Sequence, residues 1–284
     1  MKRIKKKTST EKIVAGIVLA IVSLLFIIPV IWVFLSAFKM DSELNRAGGF
    51  MILPKTWTLE NFKEVLSTTN SRTPVYRWFA NSIFVSAIYV VLSVFIVATA
   101  AYAFSKLHWK GRDATFLIIL FITSFPPIMS IVPMYKIMQV LHLLNTPWAL
   151  IFPGLAGAFN IFLTKQFMLG ISDEILDAAR IDGAGEGTVF FKVVLPMMKP
   201  ILAIVALFSF TAIWNDFLWP SIAINDVNNL TLTAGLQLAK GTYEQVVSKI
   251  SAMAVVAIVP MIILYCFAQK WLLKGVSISS GVKG

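Results

Sequence analysis

Residues 13–38 read IVAGIVLAIVSLLFIIPVIWVFLSAF and contain no charged side chain. A helix of about 20 apolar residues crosses the hydrocarbon core of a bilayer, which is about 30 Å thick. The stretch also exceeds the roughly 7–15 apolar residues of a cleaved secretory signal. We therefore expect a retained transmembrane helix, preceded by a basic cytoplasmic N-terminus, residues 1–12, that lies against anionic lipid headgroups.

The composition of the whole chain supports a membrane protein. Hydrophobic residues make up 58% of its 284 residues and charged residues 14%, whereas soluble domains have about 45–50% and 25%. The net charge of +11 would suggest a nucleic-acid partner in a soluble protein. Here membrane lipid explains the charge, and we expect no nucleic-acid partner. Cys266 is the single cysteine, so an internal disulfide and a four-cysteine metal site are excluded.

Five further apolar runs have lengths suited to a bilayer, and within them the clearest charge is Asp216 in the fifth run. The sequence therefore predicts an all-α integral membrane protein with a membrane domain over residues 13–272. Proline and glycine are frequent in these runs, which we interpret mainly as ordinary membrane-helix packing. We expect a true break at Pro126-Pro127, because each proline removes a backbone donor. The six predicted spans lie at about residues 13–38, 78–105, 114–135, 147–168, 200–224 and 250–272.

The distribution of Lys and Arg indicates the orientation. Six spans place both termini on one side of the membrane. Segments 1–12, 106–113, 165–199 and 270–284 hold 16 of these residues, and the segments on the other side hold nine. Cytoplasmic loops carry the excess. We expect a multi-pass protein of the cell membrane with both termini in the cytoplasm, including a C-terminal tail at residues 273–284.

The predicted cytoplasmic loop at residues 169–199 has the pattern of folded structure. Ser172 can cap a helix whose first turn is acidic, and Gly183 suits the left-handed residue that ends it. A second amphipathic run follows and stops at Pro196, so two short helices can form a rigid knob beneath the membrane. An alternative is a pair of helices lying on the lipid surface. The acidic residues argue against it, since they would face anionic headgroups.

This loop also carries a specific motif. Asp177-Ala178-Ala179, then Gly183, then Leu195-Pro196 resembles the EAA motif of permease subunits in binding-protein-dependent ATP-binding-cassette (ABC) importers. Asp177 stands where that motif usually has Glu, which keeps the charge on a shorter side chain. Val193 replaces the usual Ile, a mild departure.

Three other stretches resemble the carbohydrate-importing branch of this family. They are AARIDGA at residues 178–184, WNDF at 214–217 and GVKG at 281–284. The six-span plan extends the likeness over essentially the whole chain, which is most similar in form to the smaller six-span permease of the maltose-type pair. The resemblance implies that the protein translocates a sugar or oligosaccharide by alternating access and is not itself an enzyme.

The resemblance also implies partners. In this family the motif forms a coupling helix that docks on an ATPase subunit. The sequence contains no GxxxxGK[ST] phosphate loop, so we expect no cofactor on this chain and the use of ATP and Mg by two separate ABC subunits. The resemblance implies two further partners. One is a second permease, which we expect to form a heterodimer with this chain, and the other is an extracytoplasmic sugar-binding protein. The residues expected to couple to the ATPase are Asp177, Ala178, Ala179, Asp182, Gly183, Leu195 and Pro196.

Two further groups are candidates for contact with the substrate or its carrier. A carboxylate and an amide bind sugar hydroxyls while aromatic faces stack on the ring, so the resemblance places a substrate pathway near Asp216. A structural cap is the alternative role for that residue. The outer loop resembles the family loop that reaches the binding protein, although an ordinary solvated loop would look similar. The pathway candidates are Trp214, Asn215, Asp216 and Phe217, and the loop candidates are Thr233, Gly235 and Gln237.

Two rival classes fit the sequence less well. A secondary transporter or channel usually needs ion-coupling groups within the membrane, and Asp216 without a basic partner in the spans gives poor support. A membrane-embedded enzyme lacks a credible site, because the chain has two histidines and one cysteine.

Overall fold

The computed structural model describes residues 9–44, 52–68, 72–242 and 246–281, and within these ranges its regular structure is entirely helical. Short 3-10 turns lie at Pro127–Ser130 and Val227–Asn229, and a π-helical turn lies at Val189–Val194. The α-helices are α1 (Ser9–Ser36), α2 (Asp41–Leu44), α3 (Glu60–Val65), α4 (Val75–Ser105), α5 (Arg112–Ile122), α6 (Ile131–Val140), α7 (Pro147–Ile151), α8 (Ala158–Leu169), α9 (Asp173–Ile181), α10 (Glu186–Thr188), α11 (Leu195–Met197), α12 (Lys199–Asn215), α13 (Leu218–Ala223), α14 (Leu232–Thr242) and α15 (Val247–Gly281).

Three of these helices are long and apolar enough to cross a membrane unbroken, and they match the first, second and sixth predicted spans. They are Ile13–Ser36 in α1, Val75–Ser105 in α4 and Val247–Gln269 in α15. Two bent helix pairs bring the number of candidate spans to five. The chain is therefore a multi-pass helical membrane protein by length and composition.

The predicted third span is divided as expected. Arg112–Ile122 and the helical stretch Pro127–Val140 meet at an angle of 97°, and Pro126 lies between them with a non-helical ψ of 129°. A proline there removes a donor and blocks a continuous helix. The expected break at Pro126-Pro127 is confirmed.

The predicted fourth span is not one continuous helix. Helix α7 ends at Ile151 and α8 begins at Ala158. Between them Pro153 removes a donor and Gly154 has a φ of +79°, which favours glycine. The Tyr89 hydroxyl donates to the carbonyl oxygen of Gly154 at 2.8 Å, which satisfies a group that the break leaves free.

The predicted fifth span is interrupted too. Helix α12 ends at Asn215, Asp216 is extended with φ −69° and ψ 122°, and α13 restarts at Leu218. Before α12, the segment Glu186–Met197 meets it at 79°. That segment therefore does not continue the direction of the span.

The two predicted terminal segments are covered only in part. Residues 1–8 of the basic N-terminus and residues 282–284 of the tail lie outside the described residues. Helix α15 continues to Gly281, so the predicted tail is helical up to that residue.

Helix α4 lies at the centre of the bundle, in contact with α8, α12 and α14. Hydrogen bonds between side chains join three of these helices in the interior, with Ser93 and Ser209 hydroxyls 3.1 Å apart and Asn160 Nδ2 donating to Ser209 at 3.3 Å. Such bonds hold helices together where apolar burial gives little net attraction. Helix α1 differs, because it is exposed along most of its length and packs on α15.

Candidate functional site

A cavity of about 900 Å³ opens where the three interrupted helices meet. Its wall includes Pro127 from the first break, Pro153 and Gly154 from the second, and Asn215 and Asp216 from the third. Irregular backbone at membrane depth is tolerated where it lines a cavity, and discontinuous helices build the substrate sites of many transporters. The convergence of the breaks makes this cavity the candidate substrate site.

Asp216 lines the cavity and also caps a helix. Its Oδ1 accepts hydrogen bonds from the backbone N–H groups of Leu218 at 3.1 Å and Trp219 at 3.3 Å, so it satisfies donors at the start of α13. The structural cap expected as the alternative role is therefore present. Asp216 is half-buried, and the cap bonds use only one of its two oxygens.

The cavity brings together only two of the four predicted pathway residues. Asn215 and Asp216 line the cavity, but Trp214 is only 2% exposed and its ring stacks on Phe210 with centroids 5.1 Å apart. Its indole Nε1 donates to the carbonyl oxygen of Ala257 at 3.1 Å. Phe217 is exposed and is absent from the described cavity wall. Trp214 thus joins α12 to α15 and is a packing residue.

Three lining residues with polar groups were not predicted from the sequence: Tyr89, Ser130 and Thr211. The lining also contains Trp219, one of the aromatic residues that flank Asp216 in the sequence. Trp219 is fixed by a hydrogen bond from its Nε1 to the carbonyl oxygen of Ala149 at 2.8 Å. One sequence signal could have pointed to Tyr89. The Pro153-Gly154 pair marks the helix break whose free carbonyl group, that of Gly154, accepts the hydrogen bond from Tyr89. Aromatic faces beside hydroxyl, amide and carboxylate groups suit the CH faces and hydroxyls of a sugar.

The predicted outer loop contains a packed helix. Thr233, Gly235 and Gln237 all lie on α14. The Thr233 hydroxyl donates to the carbonyl oxygen of Trp214 at 2.6 Å, and Gly235 is pressed against the ring of Trp78, which is fully buried. Of the three residues, therefore, only Gln237 is exposed.

The first helix of the predicted knob begins and ends as expected, but the second helical run, Glu186–Met197, continues through Pro196, where the sequence predicted it to stop. Helix α9 is capped by Ser172, whose hydroxyl accepts from the N–H of Glu174 at 3.3 Å, and it ends before Gly183, whose φ is +85°. Leu176 of α9 is buried with Phe190 against Tyr102 of α4. The knob therefore shares a hydrophobic core with the bundle.

The exposed side of α9 carries the motif residues. Asp177, Ala178 and Asp182 are exposed, and so is Ile181, with 86% of its surface accessible. At the start of the helix, the hydrogen bond from Lys106 to Asp173 lowers the pKa of that carboxyl below its usual value. Helix α9 therefore presents an apolar side chain among acidic groups on its exposed side.

Comparisons with known proteins agree with this architecture. Residues 94–278 match the family described as binding-protein-dependent transport system inner membrane component. The arabinooligosaccharide transport permease AraQ of Halalkalibacterium halodurans is 34% identical over 93% of this chain and 94% of its own length. The maltodextrin permease MdxG of Bacillus subtilis is 31% identical over 96% and 97%.

A solved structure has the same fold. A chain from a bacterial ABC transporter that imports the acidic polysaccharide alginate superposes with a TM-score of 0.80 at 25% identity, covering 93% of this chain and 98% of that one. These relatives are transport subunits and not enzymes. With a family match over most of its length and relatives aligned almost end to end, the chain belongs to the binding-protein-dependent inner membrane components, the permease subunits of ABC importers.

Proposed function

We propose that this chain is one of two permease subunits of an ABC importer and that it carries an oligosaccharide through the cavity bounded by Tyr89, Asp216 and Trp219. The observation that carries the proposal is the convergence of three helix breaks on that cavity, in a chain that aligns with permeases for arabinooligosaccharides and maltodextrins. The heterodimer partner, two ATPase subunits that use ATP and Mg, and an external sugar-binding protein complete the transporter.

The proposed topology has six spans. They are α1, α4, the bent pair α5–α6, the interrupted pair α7–α8, the interrupted pair α12–α13, and α15. Both termini and the knob between spans four and five lie in the cytoplasm, in keeping with the excess of basic residues on that side. The bend of 79° before α12 supports this arrangement, since it turns Glu186–Met197 away from the direction of the span.

The proposed docking face for an ATPase subunit is the exposed side of α9, formed by Asp177, Ala178, Ile181 and Asp182. The other predicted coupling residues support the structure of this docking face. They are Ala179, Gly183, Leu195 and Pro196. A knob with a core shared with the bundle transmits a rigid-body displacement, so closure of the ATPase dimer would move the helices around the cavity. Gln237 on the opposite side is the proposed contact for the binding protein.

The double role of Asp216 leads to a test with two substitutions. Serine also caps helices but lacks the carboxylate, whereas alanine removes both functions. We expect Asp216→Ser to assemble and retain the thermal stability of wild type, with a KM for sugar raised about tenfold, the effect of losing about 1.4 kcal/mol of binding. Asp216→Ala should lose stability in addition. If the serine variant instead has the KM of wild type, Asp216 acts only as a helix cap and does not bind the sugar.

The charge of the cavity predicts which sugars are accepted. Its described lining holds the carboxylate of Asp216 and no Lys, Arg or His. A uronate brought beside Asp216 would meet an unpaired like charge in a low-dielectric site. We expect uptake of neutral maltotriose or arabinotriose to exceed that of a tri-uronate by at least about tenfold. Equal uptake of neutral and acidic trisaccharides would contradict this assignment.

The importer assignment itself is tested in vesicles. The complete transporter, purified through this chain with its partner subunits and binding protein, is reconstituted and supplied with a panel of neutral oligosaccharides. We expect sugar uptake to require ATP on the side of the membrane that holds the ATPase subunits. We also expect the sugar-loaded binding protein to stimulate ATP hydrolysis. Uptake that persists without ATP or ATPase subunits and follows an ion gradient would establish the secondary-transporter alternative.

A further inference from the structure

One carboxylate, that of Glu186, joins three helical elements at the cytoplasmic end of the bundle. The Tyr102 hydroxyl donates to its Oε2 at 2.5 Å, and Arg180 Nε donates to its Oε1 at 2.8 Å. Tyr102 lies on α4, Arg180 in the last turn of α9, and Glu186 at the start of α10. Each oxygen is thus held by a different element.

The same guanidinium reaches the docking face. Arg180 donates from its second nitrogen to Asp177 Oδ1 at 2.8 Å. The two carboxylates raise the pKa of Arg180, Glu186 contributing first, so the group remains cationic. Charge-assisted hydrogen bonds of this kind are short and directional. Four polar groups therefore run in order from α4 to the exposed side of α9: Tyr102, Glu186, Arg180 and Asp177.

A second attachment holds the other end of α9. Lys106 lies four residues after Tyr102, and its buried Nζ donates to the carbonyl oxygen of Ile171 and to Asp173 Oδ1, both at 2.6 Å. Helix α4 and the residue after it therefore hold α9 near its beginning and near its end. Two points of attachment fix the direction of a helix as well as its position.

Helix α4 also reaches the cavity. Tyr89, which lines the cavity, lies 13 residues before Tyr102 on the same helix, a distance of about 20 Å at 1.5 Å per residue. One continuous helix thus carries a cavity residue and the attachment of the docking face. The Arg180 ion pairs are partly exposed, and pairs of this kind contribute little to folding stability. The main effect of this network is therefore to fix the position and direction of α9 relative to α4.

We propose that Tyr102, Glu186 and Arg180 are positioning residues that lock α9 to α4, so that displacement of the docking face by the ATPase subunits turns α4 and the cavity wall it carries. The inference rests on the proposed function and adds the residues through which coupling passes.

The test removes one oxygen atom from the network. Tyr102→Phe deletes the hydroxyl that binds Glu186. Ser105→Ala is the matched control, because among the described residues the Ser105 hydroxyl bonds only to Ala101 of its own helix. We expect both variants to assemble with the ATPase subunits and keep basal ATP hydrolysis. Stimulation by the loaded binding protein, and sugar uptake, should fall at least about fivefold in Tyr102→Phe alone.

A second variant checks that the residues act as a unit. Glu186→Gln removes the charge between Tyr102 and Arg180, and we expect the double variant with Tyr102→Phe to be no worse than Glu186→Gln alone. Stimulation in Tyr102→Phe equal to that in Ser105→Ala, failure of Tyr102→Phe to assemble, or multiplied losses in the double variant would each overturn the proposal. Absence of stimulation in wild type would instead contradict the proposed function.

Discussion

Replacement of Gly183 by valine is expected to lower both sugar uptake and the ATP hydrolysis that the loaded binding protein stimulates, while the transporter still assembles. Gly183 has a φ of +85°, a region that costs other residues about 1–2 kcal/mol and is a genuine outlier for a β-branched side chain. Since no atom lies within 4 Å of an added Cβ, the strain acts on the backbone turn between α9 and α10. We expect uptake and stimulated ATP hydrolysis to fall about tenfold or more.

Gly187→Val is the matched control for this substitution. Gly187 lies on the same knob, its Cβ would also meet open space, and its φ is not in the left-handed region. The two variants are compared for assembly, basal hydrolysis, stimulated hydrolysis and uptake in the same vesicles. If both lose stimulation to the same extent, the left-handed turn is not the cause. If neither does, the knob does not couple the ATPase to the spans.

Replacement of Gly235 by alanine is expected to cause a large loss of stability. A Cβ at this position would overlap the Trp78 ring and lie 2.7 Å from its Cε2. Trp78 cannot easily retreat, since it is fully buried and its Nε1 donates to the carbonyl oxygen of Val227 at 2.6 Å. Overpacking costs about 1–3 kcal/mol and sometimes more, and we expect the upper end of that range.

The measurement is thermal unfolding of the purified transporter in detergent, followed by the fluorescence of its tryptophans. Gly241→Ala, on the same helix with no atom within 4 Å of its Cβ, should unfold at the wild-type temperature. Gly235→Ala should unfold several degrees lower. Coincident transitions for the two variants would mean that α14 does not pack on Trp78.

Local features of the fold were the ones best predicted from the sequence. The Ser172 cap and the left-handed Gly183 depend on residues within one or two turns, and both are present as expected. The long apolar helices α1, α4 and α15 follow equally directly from their lengths. The break at Pro126-Pro127 was predictable because proline acts on its own backbone.

Features that depend on distant segments were not predictable. The cavity exists because breaks near residues 126, 153 and 216 meet in space, and no local pattern indicates that they meet. Trp214 has the composition of a sugar-stacking residue, yet its neighbours on α15 bury it. Helix α14 contains small and polar residues typical of a loop, and its contact with Trp78, far away in the sequence, accounts for the ordered packing there.

Helix α1 has a consequence for the biogenesis of the protein. Among the described helices it is synthesised before the others, and it packs on α15, which follows them in the sequence. At synthesis rates of about 5–20 residues per second, the roughly 210 residues between Ser36 and Val247 take about 10–40 s to make. During that interval α1 lacks the helix on which it packs, and its long apolar surface suits it to contact with lipid.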